Sequence, residues 1–114
     1  MKLDESYIVG LIDGEGTVNV VRYPDGRVRP QVLVFSTFKN VLDLVKSSLK
    51  LKAPILKVSR VNDGIIRKKE MYRLQIRAKK DIKIIFEVFD RHPPIIKKSD
   101  YGKVLELTKT WLTT

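Results

Sequence analysis

Apolar residues between positions 4 and 13 recur at helical spacing, with Ser6 placed to cap the start and Gly14 and Gly16 to stop the run, so the pattern predicts a first helix there. At about 100° per residue, Tyr7, Ile8, Leu11 and Ile12 cover one broad side, while Ser6, Val9, Gly10 and Asp13 gather on the other. Glycine inside a helix costs ~1 kcal/mol relative to alanine, so the side carrying Gly10 is expected to pack closely against another surface. A second helix is the natural candidate.

Residues 15–23 are β-branched and roughly alternating, Pro24-Asp25-Gly26 signals a turn, and residues 28–37 form a second strand-like run, which together read as a hairpin. Asn40 is placed to cap a helix over residues 41–51, and Pro54 ends it. Residues 55–61 and 71–78 give a second hairpin around Asn62-Asp63-Gly64 and the basic Arg67-Lys68-Lys69. Asp81 is placed to cap a helix over residues 81–89, His92-Pro93-Pro94 interrupts it, and a last helix over residues 99–111 closes the chain. The order is αββαββα, with the last helical element split by the prolines, and the class is α+β with a mostly antiparallel sheet. The hairpin-then-helix doubling carries no sequence repeat of fixed period.

The strands carry a face preference. In the fourth, Tyr72, Leu74, Ile76 and Ala78 alternate with Met71, Arg73, Gln75 and Arg77, giving a core face and a cationic, wet one. The first offers Thr17, Asn19, Val21 and Tyr23 to one face and Val18, Val20 and Arg22 to the other. In the second, Val32 and Val34 compete with Leu33 and Phe35 for the core, and the pattern does not choose. Arg, Gln, Asn, Thr and Tyr on an exposed sheet face are side chains that hydrogen-bond base edges and phosphates. On a basic protein, a merely solvated face is the plainer reading.

Charge favours the first alternative. The 114 residues carry 23 lysines and arginines against 13 acids, a net charge of +10 that attracts polyanions. The length is one domain's worth of chain, so a single domain over residues 1–114 is expected. With no cysteine and one histidine, thiolate zinc sites, iron–sulfur clusters and two-histidine nuclease centres are excluded, leaving oxygen ligands for any metal. No apolar run reaches the ~20 residues of a membrane span, and the acids at Asp4 and Glu5 speak against a secretory signal. The expected location is intracellular and cytoplasmic, at the nucleoid when bound to DNA. Scarce asparagine and glutamine, three and two residues, also fit a thermophile composition.

The segment Ile8-Val9-Gly10-Leu11-Ile12-Asp13-Gly14-Glu15-Gly16 resembles the nonapeptide of the LAGLIDADG homing endonucleases: glycine third and ninth, leucine-isoleucine-aspartate in the middle and a carboxylate eighth. It departs from that motif by isoleucine first, valine second, glycine seventh and glutamate for the penultimate aspartate. The αββαββα order agrees with the family over nearly the whole chain. The resemblance implies a saddle-shaped antiparallel sheet with helices on one face and motif helices that pack against each other. One motif in 114 residues resembles the homodimeric branch, with Ser6, Val9, Gly10 and Asp13 at the interface. It implies a site-specific, intron-encoded enzyme of intron homing that makes a double-strand break in a long, near-palindromic DNA site.

By the same resemblance, Glu15 corresponds to the metal-ligating acid and the Gly14 carbonyl to a second oxygen ligand, a set that suits Mg²⁺ or Mn²⁺. Ca²⁺ is expected to support binding without catalysis. Lys98 aligns with a basic catalytic residue near the scissile phosphate, with Lys97 its rival, and Lys39 lies where relatives place a water-positioning residue, with Asn40 the alternative. Asp13 is expected mainly to organise the turn, and His92 to be an ordinary loop residue. DNA contact is implied for Thr17, Asn19, Tyr23, Lys57, Ser59, Arg73, Gln75 and Arg77 on the sheet, and for Arg22, Arg27, Arg29, Arg67, Lys68 and Lys69 at turns. Two rivals remain: an acid plus D-x-K nuclease drawn from Asp63 and Asp81-Ile82-Lys83, and a maturase that binds intron RNA.

Overall fold

A computed structural model of the chain describes residues 1–58 and 70–113. Its elements follow in the order α1 (Glu5–Glu15), β1 (Gly16–Arg22), β2 (Val28–Ser36), α2 (Lys39–Ser48), β3 (Ile55–Val58), β4 (Met71–Ile76), α3 (Lys79–Arg91), α4 (Lys98–Leu107) and α5 (Lys109–Thr113). The strands form one antiparallel sheet in the order β1-β2-β4-β3, so the two hairpins meet along β2 and β4. The fold is α+β, as the element pattern predicts.

The register settles the faces. Val18 lies opposite Val32, Val34 opposite Leu74 and Val32 opposite Ile76, and all five are buried. Val32 and Val34 therefore take the core side of β2, and Gln31, Leu33 and Phe35 take the other. Helices close over the core side: Ile8 and Ile12 of α1, Leu42 and Val45 of α2, and Ile82, Ile85 and Phe89 of α3 complete one apolar cluster. Tyr101 of α4 sits edge-on to Phe86 and Phe89 at 5.0 Å from each ring centroid and donates its hydroxyl proton to Asp90 Oδ1 at 2.9 Å. Removal from water, and then the Asp90 carboxylate, push the Tyr101 phenol well above its ordinary range.

Several local expectations change. Asp4, not Ser6, precedes α1, and Phe38, not Asn40, precedes α2, so Asn40 lies inside the helix. Asp81 lies within the first turn of α3, after Ala78 at the cap position, and its buried carboxylate accepts the Lys52 N–H at 3.1 and 3.2 Å from its two oxygens. Buried and occupied in this way, it is unsuited to the D-x-K reading. The final helix divides at Thr108, whose hydroxyl donates to the Val104 carbonyl at 2.6 Å.

The largest difference concerns α1. Its buried stripe is Ile8, Val9, Ile12 and Asp13, while Tyr7 is 54% exposed and Gly10 and Gly14 are exposed. The inward face is thus turned by about 100°, one residue's rotation, from the side that apolar periodicity picks. Val9 and Asp13 accordingly leave the expected dimer interface, because both are spent inside the chain. Periodicity misses this because a buried aspartate looks polar in sequence, and here its carboxylate is satisfied by backbone donors.

Two glycines of the motif separate cleanly on steric grounds. A Cβ on Gly16 would lie 2.6 Å from the Ile12 carbonyl oxygen and 2.8 Å from that of Leu33, whereas one on Gly10 would meet nothing within 4 Å. Gly16→Ala should therefore cost roughly 1–3 kcal/mol by crowding immovable backbone. Gly10→Ala should raise the stability of the isolated chain by up to about 1 kcal/mol. Urea unfolding of both variants at low protein concentration checks the pair of signs.

Candidate nucleic-acid interface and catalytic end

The face of the sheet away from the helices is built in cross-strand rows. Next to the end of α1 lie Phe35 and Arg73 with Leu56; then Thr17, Leu33 and Gln75; then Asn19 and Gln31, with Arg77 following β4; then Val21 and Arg29. Arg29, Arg73 and Arg77 make this face cationic, and both glutamines of the chain lie on it. The Arg29 guanidinium sits over the Tyr23 ring at 5.3 Å from its centroid. Gln31 donates from Nε2 to Asn19 Oδ1 at 2.8 Å and accepts from Arg77 Nε at 2.8 Å, tying β1, β2 and the residue that follows β4 together across the face. The Nε of Arg73 is buried with no hydrogen-bond partner among the described residues, a costly state for a charged donor.

Beside this face, α1 ends in two acids with opposite circumstances. Asp13 is 8% exposed and accepts from the backbone N–H groups of Ile95 at 2.9 Å, Ile96 at 3.0 Å and Lys97 at 2.7 Å. Burial raises its affinity for a proton, but the three N–H groups and the nearby Lys97 charge outweigh that and hold the carboxyl below the ordinary carboxylate range. Pro94 is buried, but the Ile95 and Ile96 side chains are 86% and 68% exposed, so at these two residues the backbone is held through Asp13. Glu15, two residues on, is exposed and has no hydrogen bond or ion pair among the described residues. It shares a cleft with Leu11, Phe35, Ser36, Thr37 and Met71. The last carbonyls of α1, including that of Gly14, point out of the helix end without intrahelical partners.

The residues singled out in sequence fall into distinct groups. Thr17, Asn19, Arg29, Arg73, Gln75 and Arg77 share the open face, and Tyr23 joins them through Arg29. Arg22 lies opposite Val28 on the helix side of the sheet, where alternation from buried Val18 carries it. Lys57 also belongs to the helix side, opposite Tyr72 at the sheet edge, and its ammonium is paired with Glu70 at 2.5 Å. Lys57 is thus a correction to a sheet-face contact with DNA, while Arg22 keeps the face its alternation predicts, at the end of β1 where the turn begins. Arg27 is bound to the Asp25 carboxylate of its own turn. Ser59, Arg67, Lys68 and Lys69 lie outside the described residues.

Lys98 is the first residue of α4, directly after the segment that Asp13 holds, and Lys97 gives its N–H to that acid. Lys39 opens α2 with its amine 4.0 Å from Asp43, two residues after the Thr37 that lines the Glu15 cleft. His92 lies with its Nε2 3.4 Å from Glu5, which is already bound by Arg91 at 2.8 and 3.0 Å. Sequence reasoning missed Gln31 and the cleft residues Phe35, Ser36 and Thr37. The face of β2 was the missing signal, since its two alternating sets are both apolar enough to be core.

An open, basic antiparallel sheet beside a helix that ends in a carboxylate unpaired among the described residues defines a class of α+β protein suited to a polyanion. Within that class the chain is specific: a family model described as LAGLIDADG endonuclease matches residues 8–107, and the chain belongs to that family. The fold is similar to the crystal structure of a homing endonuclease, I-TnaI, at TM-score 0.73 and 24% identity over 93% of this chain and 71% of that one. It is also similar to the archaeal intron-encoded homing endonuclease I-Vdi141I complexed with DNA, at TM-score 0.76 and 18% identity over 96% and 69%. The LAGLIDADG meganuclease I-AabMI bound to uncleaved DNA gives TM-score 0.78 and 18% identity, with 98% of this chain matching 38% of that one. No curated protein matches the chain in sequence.

Asparagine at position 13 keeps the shape but loses the charge and offers a single acceptor oxygen to three N–H groups. Asp13→Asn should lower stability at pH 7 by about 2 kcal/mol. The depressed carboxyl adds stability that is complete above its ordinary unfolded pKa and lost as pH falls through the lower folded value. The variant should therefore lose part of the wild-type decline in that acid window. Urea midpoints collected from pH 7 down to pH 3 test both statements.

Proposed function

We propose that this chain is a site-specific homing endonuclease, intron-encoded, which as a homodimer makes a divalent-metal-dependent double-strand break in a long, near-palindromic DNA site. The observation that carries this reading is the contrast at the end of α1. A carboxylate at a helix C-terminus is opposed by the helix dipole, and Asp13 is answered by three backbone donors while Glu15 has none among the described residues. Among the described residues Glu15 is thus an unengaged hard ligand, beside the Gly14 carbonyl in the last turn of α1.

This donor set fits Mg²⁺ or Mn²⁺ in chemistry but is incomplete in one chain, because no group of three or more acidic or histidine side chains gathers among the described residues. A second copy supplies the second carboxylate. Such an ion would provide an activated water and offset the charge on the scissile phosphate and the departing 3′ oxygen. Glu15 and the Gly14 carbonyl of each copy would hold it. Lys98, at the start of α4, offsets phosphate charge, and Lys39 orients water from the start of α2. Thr17, Asn19, Arg29, Arg73, Gln75 and Arg77 bind a half-site through the open face, with arginine and glutamine reading base edges. Calcium, held by the same oxygens, supports binding without turnover.

The exposed stripe of α1 fits the role of partner surface. Tyr7, Gly10, Leu11 and Gly14 follow at helical spacing, Ser6 adjoins them, and neither glycine is required by contacts within the chain. The interface is accordingly assigned to this stripe, which keeps Ser6 and Gly10 and replaces Val9 and Asp13.

Cleavage of a randomised duplex library with Mg²⁺, followed by sequencing of the cut ends, should recover one long site of roughly two-fold symmetry. Glu15→Gln should reduce cleavage of that site at least ~100-fold while its affinity in Ca²⁺ stays within about threefold. Normal cutting by this variant would remove Glu15 from the mechanism. Gly10→Leu should sediment as a monomer, because a large side chain overpacks a close helix crossing. A dimeric Gly10→Leu protein would show that the stripe is not the interface.

A further inference from the structure

The hydrogen bonds on the open face fix which atoms that face presents. Arg77 Nε carries a proton and can only donate, so the Gln31 atom facing it at 2.8 Å must be the amide oxygen. The other end of Gln31 is then its NH₂ group, and the Asn19 atom facing that group at 2.8 Å must be Oδ1. The orientation of both amides follows from one obligatory donor. Asn19 is left presenting its Nδ2 donors outward, and Arg77 its two terminal nitrogens, with no other partner for either group among the described residues.

We infer that Gln31 is a specificity-positioning residue that makes this row donor-only, so that it selects, under each donor, a base whose own major-groove edge accepts, with guanine under Arg77. The inference rests on the endonuclease reading and deepens it. Gln31 is only 8% exposed, so it sets the polarity of its neighbours without reaching the bases itself. With Nε held by Gln31, the free edge of Arg77 is the fork of terminal nitrogens that matches guanine O6 and N7. The Asn19 donors match guanine, adenine N7 or thymine O4 and are repelled by the exocyclic amine of cytosine. This row lies four residues along β2 from Phe35, ~13 Å at about 3.3 Å per residue. In duplex terms it is about four base pairs outward from the Glu15 cleft.

The test is a binding selection from a randomised duplex library in Ca²⁺ for the wild-type chain, Gln31→Glu and Gln31→Met. A carboxylate at position 31 accepts at both ends. Arg77 keeps its partner, while Asn19 must turn its NH₂ inward and present Oδ1. Gln31→Glu should keep the guanine preference under Arg77 and shift the preference under Asn19 by roughly tenfold toward bases that donate, cytosine N4 or adenine N6. Gln31→Met, which removes both bonds at similar volume, should flatten those two positions and leave the rest of the profile unchanged. That second variant decides the matter should the buried carboxylate prevent folding. An unaltered profile, or a uniform weakening at every position, would overturn the assignment while leaving the endonuclease reading in place. A wild-type chain that selects no duplex sequence would overturn both.

Discussion

The backbone donors of residues 95–97 converge on a single carboxylate, that of Asp13, and much else in the molecule follows from this contact. An acid in the last turn of a helix opposes the dipole, and burying it adds a desolvation cost. Three short N–H contacts reverse the balance and turn an unfavourable residue into a clamp. The clamp joins the end of α1 to the start of α4 across 82 to 84 residues of sequence. It also fixes the rotation of α1, since the side that carries Asp13 must face inward. The opposite stripe, with Gly10 and Gly14, is thereby turned outward.

The second constraint is the one-sided packing of the sheet. All the helices that contribute to the core lie against the face defined by Val18, Val32, Val34, Leu74 and Ile76. The other face carries arginine, glutamine, asparagine and threonine in rows that also hold Val21, Leu33, Phe35 and Leu56, and its polar members suit phosphates and base edges. Its Gln31 bridge directs the Asn19 and Arg77 side chains before any ligand arrives. Order of that kind reduces the entropy lost on binding.

The two features meet at Glu15. The residue closes α1 where the sheet begins, and its cleft is lined from both sides, by Leu11 of the helix and Phe35 of β2. Helix geometry explains why neighbouring acids have different roles. Residues 13 and 15 are about 200° apart around the axis, so a clamp at one directs the other away from the protein interior. The motif therefore couples a structural acid to a free one through the pitch of the helix alone.

Sequence by itself determined the element order, the two hairpins, the cationic alternation of β4, the basic charge and the motif that carries the family. These are local or additive properties: strand alternation and helix periodicity depend on near neighbours, and charge is a sum. It did not determine which face of β2 is core, because Val32 and Val34 and their neighbours Leu33 and Phe35 are comparably apolar. Only the register against Leu74 and Ile76 decides between them. Nor did it reveal that Asp13 points inward, that Lys57 pairs with Glu70 at the sheet edge, or that Gln31 bridges Asn19 and Arg77. Each of those outcomes depends on a partner distant in sequence or on an adjoining strand. The direction of a polar side chain is set by where its hydrogen-bond partner stands, and that position exists only once the chain has folded.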